Sequence, residues 1–170
     1  MADTKTIFLP VEERARYANL QLRQSYSAPF FEIDPTAVDD LVVYLKNTGV
    51  KPIEIYKITI IAFTAGGVQL IQKVTGTAGG GGTTRTAVNM DLGSSENFSG
   101  NMDFLTDPDI TGLTEEATLD TFGQIAGEEN SHLYPSGIIL RQGNAIAIGV
   151  AVATTILSGN IFFHVLPEEF

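Results

Sequence analysis

The side chains best equipped for chemistry are few and poorly spaced for it. Two histidines, His132 and His164, stand 32 residues apart. Neither has a partner at a ligand spacing such as His-x-Glu or His-x-x-x-His, so neither starts a metal set or a catalytic pair. His164 alternates with apolar neighbours and reads as a sheet-face residue, while His132 precedes Leu133-Tyr134-Pro135 at a strand entry. The chain has no Cys, hence no thiolate nucleophile, no disulfide and no Cys-ligated zinc. Asp107-Pro108-Asp109-Ile110-Thr111-Gly112 begins like a calcium loop, with oxygens at alternate positions and Gly sixth. It breaks at Thr118, where a bidentate Glu is required. Glu115-Glu116 and Glu128-Glu129 are adjacent carboxylates in a polar stretch, and an acid–base pair needs a cleft instead. The run Gly79 to Gly82 lacks the Lys-Ser/Thr of a phosphate cradle and reads as a close-packed or flexible strand connection. Gly93-Ser94-Ser95-Glu96 is turn composition rather than a nucleophile elbow. Asn97-Phe98-Ser99 matches a glycosylation sequon by chance, since no leader precedes it. These residues assign no catalytic, metal or cofactor site, and the expectation is a protein that is not an enzyme.

The elements that would position such residues follow from composition and pattern. A chain of 170 residues with 44% hydrophobic and 18% charged residues fits one domain with a real core. Ten Lys and Arg oppose twenty Asp and Glu, a net charge of −10, which argues against a phosphate-tracking nucleic-acid binder. No apolar run approaches the 18 residues a spanning helix needs, so no membrane partner is expected. Half of the acids lie between Asp91 and Glu129, and no Lys or Arg occurs between Arg85 and Arg141. Unpaired carboxylates are too costly to bury, so residues 91–129 are expected to be a long acidic connection crossing one end of the fold. Residues 1–28 form a mildly basic N-terminal arm, with residues 29–170 as the sandwich domain.

Strand signals dominate from Asp40 onward. Leu41, Val43 and Leu45 alternate with Val42, Tyr44 and Lys46. Ile53 and Ile55 share one phase and Ile58 and Ile60 the other, so a bulge is predicted near Lys57, or a strand buried on both faces beyond it. Ala65-Gly66-Gly67 is expected to turn this strand into a hairpin with Val68 to Thr77. Ile138 to Leu140 reads as a short strand, followed by Ala145 to Thr155. There Ile146, Ile148, Val150 and Val152 face a core, while Ala145, Ala147, Gly149, Ala151 and Ala153 make a small face open to close approach. Ser158-Gly159-Asn160 is expected to close a second hairpin with Ile161 to Leu166. Short helical turns are expected at Val11 to Tyr17 and at Thr114-Glu115-Glu116. Seven or eight short strands point to an all-β fold, an antiparallel two-sheet sandwich.

The segment Tyr134-Pro135-Ser136-Gly137-Ile138-Ile139-Leu140-Arg141-Gln142-Gly143-Asn144-Ala145-Ile146-Ala147-Ile148 resembles the closing strands of head decoration (cement) proteins of tailed bacteriophages. In that group a strand ending in Leu-Arg is followed by a Gly-containing turn and a small/branched strand. Thr77-Ala78-Gly79-Gly80 to Val88-Asn89-Met90-Asp91, then Gly93-Ser94-Ser95, is similar in style. The resemblance covers about half the chain. It implies a jelly-roll β-sandwich, commonly a homotrimer, seated between major capsid proteins on the virion surface and made in the host cytoplasm. The family offers no catalytic residues to carry over, and the acidic connection is a departure from it.

The expected function is therefore a structural virion protein that cements a phage capsid. Arg14, Arg16, Tyr17, Arg23 and Tyr26 are candidate capsid contacts, being of interface-enriched types, unless the arm closes over its own sandwich. Ala145, Ala147, Gly149 and Ala151 are candidate subunit-interface residues. Alternatives are a receptor- or glycan-binding head of a tail fibre or spike, the coat protein of a small virus, and a cupin-type enzyme. The last needs a His-rich metal set that this chain does not supply.

Overall fold

Apolar residues recur at alternate positions in segments such as Ile53-x-Ile55, Ile58-x-Ile60 and Ile146-x-Ile148-x-Val150, and these are β-branched, so the chain extends rather than coils there. The computed structural model describes residues 25–64, 67–79, 81–93, 98, 101–152 and 155–167, and every regular element among them is a strand. In order these are β1 (Ser25–Ile33), β2 (Leu41–Asn47), β3 (Ile53–Ala62), β4 (Gly67–Gly76), β5 (Thr83–Thr84), β6 (Val88–Asn89), β7 (Met102–Thr106), β8 (Leu113–Gln124), β9 (Glu129–Leu140), β10 (Ala145–Val152) and β11 (Leu157–Val165). They form two antiparallel sheets packed face to face. The first runs β6-β1-β11-β3-β9 and the second β5-β7-β2-β10-β4-β8.

Four pairings carry the architecture: β1 with β11, β2 with β10, β3 with β9 and β4 with β8. The first four long strands thus meet the last four in nested order. This overturns both expected hairpins, because β3 and β4 lie in different sheets, as do β10 and β11. Turn residues between two strands are equally compatible with a crossing to the facing sheet. Ser158-Gly159-Asn160 is not a turn but part of β11, with Gly159 paired to Phe30 and Ile60. A Cβ at Gly159 would strike the Thr59 carbonyl oxygen and lie 2.7 Å from Phe30 Cζ, so the glycine is the seat of the Phe30 ring.

The branched face of β10 enters the core as expected except at its end, where Val152 is exposed. Ile146, Ile148 and Val150 pack with Ile53, Ile55, Ile58, Ile60, Phe104, Phe122 and Phe163, and each fully buried side chain of this size contributes about 1.5–3 kcal/mol. The predicted phase slip in β3 is a bulge. Ile55 and Lys57 pair with the adjacent residues Phe163 and Phe162 of β11, which leaves Tyr56 as the extra residue. On the other side the same step faces Ile138 and Leu133 of β9. Strand β9 is also far longer than the expected Ile138 to Leu140.

The acidic stretch is not a plain connection. It contains β7, β8 and the first residue of β9, and the helical turn expected at Thr114 is strand, with Thr114 and Glu115 opposite Thr75 and Val74. Strand β8 is the edge of the second sheet, and Phe122 and Gln124 are its buried residues. Of its carboxylates, Glu115 and Glu116 are exposed and meet Gln72 and Lys73 of β4, while Asp120 is half-buried; charged side chains of this kind are common on edge strands. The expected arm boundary also moves, since Ser25–Ala28 already belong to β1.

Candidate interaction surface

The two outer faces of the sandwich differ. That of the second sheet is covered by the chain itself. The segments that join β4 to β5 and β7 to β8 form a ribbon over this face: Gly79 N–H donates to Thr111 O (2.7 Å) and Ile110 N–H donates to Leu41 O (2.7 Å), while Thr83 pairs with Thr106 within the sheet. Ile110 packs with Leu41, Tyr44, Val74, Ala145 and Ala147, flanked by Ala78, Leu105 and Leu113. The calcium-like sequence Asp107 to Gly112 therefore serves as the return leg of this ribbon, and Asp107 Oδ1 accepts from Asp109 N–H within it (2.9 Å).

This corrects the expected subunit interface. The small face of β10 does admit a close neighbour, but the neighbour is its own ribbon and β2. Ala145 and Ala147 are buried under Ile110 and Tyr44. A Cβ at Gly149 would come within 2.8 Å of Gln72 Oε1 and 3.0 Å of Leu41 Cδ2. Ala151 is half-buried, beside the exposed Val152.

On the outer face of the first sheet, aromatic side chains reach solvent. The bulge in β3 turns Tyr56 onto this face, a common use of bulges. Its ring stacks on His164 of β11, with centroids 4.3 Å apart and planes 16° from parallel. Its hydroxyl points to Met90 Sδ at 3.7 Å. Below, His164 Nδ1 and Ser25 Oγ are hydrogen-bonded at 3.0 Å, and Met90 N–H donates to Ser25 O (2.8 Å). One register step away, Phe162, Lys57 and Leu133 form a row across β11, β3 and β9. Lys57 Nζ sits 5.5 Å from the Phe162 ring centre, within cation–π range. Tyr56, Phe162 and Lys57 are half-buried, whereas Met90 and Leu133 are exposed. Aromatic residues and Met are the types concentrated at protein interfaces.

The other polar constellation joins the two sheets where β8 and β9 run side by side. Asp120 Oδ2 accepts from both His132 Nδ1–H and Tyr134 Oη–H, each at 2.7 Å, and Oδ1 accepts from Thr121 N–H (2.7 Å). His132 also lies flat on Phe122, with centroids 3.8 Å apart. Partial burial pushes the Asp120 carboxyl upward, but the hydrogen bonds from His132 and Tyr134 outweigh it and hold the group below the usual carboxylate range. Burial, then Asp120, pushes the Tyr134 hydroxyl well above the usual tyrosine value. Both carboxylate oxygens are engaged within the protein, so this arrangement clamps β8 to β9. Neither histidine stands in a metal-ligand set, and among the described residues no group of three or more His, Asp or Glu could hold an ion.

Of the expected capsid contacts, Arg14, Arg16, Tyr17 and Arg23 lie outside the described residues, as does the helical turn expected at Val11 to Tyr17. Tyr26 is a core residue, with its ring stacked on Phe163 at 5.4 Å and tilted against Phe98. Its place in β1 turns the ring between the sheets, away from any partner surface. The Tyr56 patch was not singled out from the sequence, although the phase slip at Lys57 marked its position. No protein-family model, curated protein or solved structure matches this chain.

Proposed function

We propose that this chain is a structural virion protein that decorates a phage capsid and cements it by bridging major capsid subunits. It acts as a homo-oligomer, with a trimer favoured. The observation that carries the reading is the Tyr56 patch: Tyr56, Phe162, Lys57, Leu133 and Met90 on the outer face of the first sheet. In this reading the patch, rather than the small face of β10, is the surface that meets the shell. The nested pairing of first strands with last supports reading the sandwich as a jelly roll, a fold used in viral shells. The same fold also serves lectins and cupins, so the reading rests on the patch and not on the topology.

The test mixes the purified protein with expanded capsids and examines the pellet and negatively stained particles. Decoration at regular lattice positions is expected. Failure to bind shells, combined with binding to whole cells or to glycans, would replace this reading with a receptor-binding head.

A further inference from the structure

We propose that the β4–β8 end of the core is an internal water site, with ordered water held between the side-chain amides of Gln69 and Gln124. Gln69 is completely buried and Gln124 is 8% exposed. Gln69 pairs with Phe122 and Gly67 with Gln124, so the two glutamines are diagonal neighbours on neighbouring strands. Both share the face of Phe122 and Ile71, which is the face turned into the core. Diagonal neighbours lie about 7–8 Å apart at the backbone, within joint reach of long side chains.

Gln124 Nε2–H donates to Ile60 O in the facing sheet (3.3 Å). Gln124 Oε1 and both amide atoms of Gln69 have no hydrogen-bond partner among the described residues. Leaving a buried amide atom unsatisfied costs about 1–3 kcal/mol, and three such atoms on diagonal neighbours of one sheet face would be a large cost in one core. Water removes that cost. A molecule accepting from Gln69 Nε2–H and donating to Gln124 Oε1 satisfies two of the atoms. A second, held in place by the first and therefore also dependent on Gln124, donates to Gln69 Oε1 and satisfies the third. Globular proteins hold about one buried water per 27 residues, each typically making three hydrogen bonds to groups otherwise unsatisfied.

The site continues the polar seam of Asp120, His132 and Tyr134 along the inner side of β8 and β9. Asn130 Nδ2–H, which donates to Gly123 O (2.9 Å), lies at the same junction. The two sheets are thus joined on this side by hydrogen bonds.

Water–protein cross-relaxation in NMR of the intact protein tests the site directly. Side-chain amide protons of Gln69 should show long-lived contacts to water, with the sign expected of a molecule resident for nanoseconds or longer. Gln69→Leu and Gln124→Leu should each lower Tm by about 3–6 °C. Each single change should remove the water contact seen at the remaining glutamine. A direct Gln69–Gln124 hydrogen bond with no water contact, or a water contact at Gln69 that survives Gln124→Leu, would overturn the proposal.

Discussion

Tyr56 lies flat on His164, 4.3 Å between ring centres, with Phe162 tilted against it at 6.2 Å, and the residue is half-buried. The histidine beneath is 4% exposed and fixes the ring from below. An aromatic ring held this way loses little conformational freedom when a partner covers it, which is the property of a good binding anchor.

Tyr56→Ala should therefore weaken docking to expanded capsids about 30-fold, the scale of a hot spot of about 2 kcal/mol. Stability should fall by only about 1 kcal/mol, since the ring is half-exposed. Co-sedimentation and thermal melts separate the two effects. Unchanged docking by a folded variant would move the contact elsewhere.

The small face of β10 yields a different expectation. Ala147→Leu inserts three carbons beneath Ile110 and Tyr44, and overpacking of this kind costs about 1–3 kcal/mol. The crossing segments 77–79 and 107–112 should lose hydrogen-exchange protection while the core strands keep theirs. Ala151→Leu should be nearly neutral. Equal effects at the two positions would mean that the ribbon does not cover Ala147.

Acid should weaken the clamp between β8 and β9. The Asp120 carboxyl titrates below its unfolded value of about 3.9, so its contribution is complete above that value and disappears as pH falls through the lower, folded one. Asp120→Asn should lower Tm at pH 7 and flatten the loss of stability between about pH 5 and pH 2. Parallel acid profiles for the variant and the parent would remove Asp120 from the account.

At the alkaline end the sign reverses. Tyr134 keeps its proton in the folded chain well above the unfolded value of about 10. Its contribution is present below that pH and is lost as pH climbs beyond it. Tyr134→Phe should cost about 1 kcal/mol at pH 7 and remove part of the decline above pH 10. Chemical denaturation across pH 8–12 provides the measurement.

Period-two patterning made much of the fold legible. The branched and small faces of β10 and the slip at Lys57 were readable because each side chain reports its own face. The partners of β3 and β10 were not, since Gly-rich turns look alike whether a strand folds back or crosses over. Strand β8 was missed because its exposed faces leave Thr114 to Thr121 without an apolar rhythm. The surface patch joins Tyr56, Met90, Leu133 and Phe162 from four parts of the chain. No local spacing brings them together, and only the β3 bulge left a trace in the sequence. The coverage of Ala145 and Ala147 was equally hidden, because a small residue invites a neighbour without saying which one.

The nested strand order also dictates a timetable. Strand β4 finds β8 across the shortest loop, then β3 meets β9, β2 meets β10, and β1 waits for β11. Each later closure spans a longer stretch of chain, the arrangement of high contact order that slows folding to milliseconds or seconds. During synthesis β1 and β2 can meet β6 and β7, whereas β3 and β4 must emerge from the ribosome and wait for β8 and the strands after it.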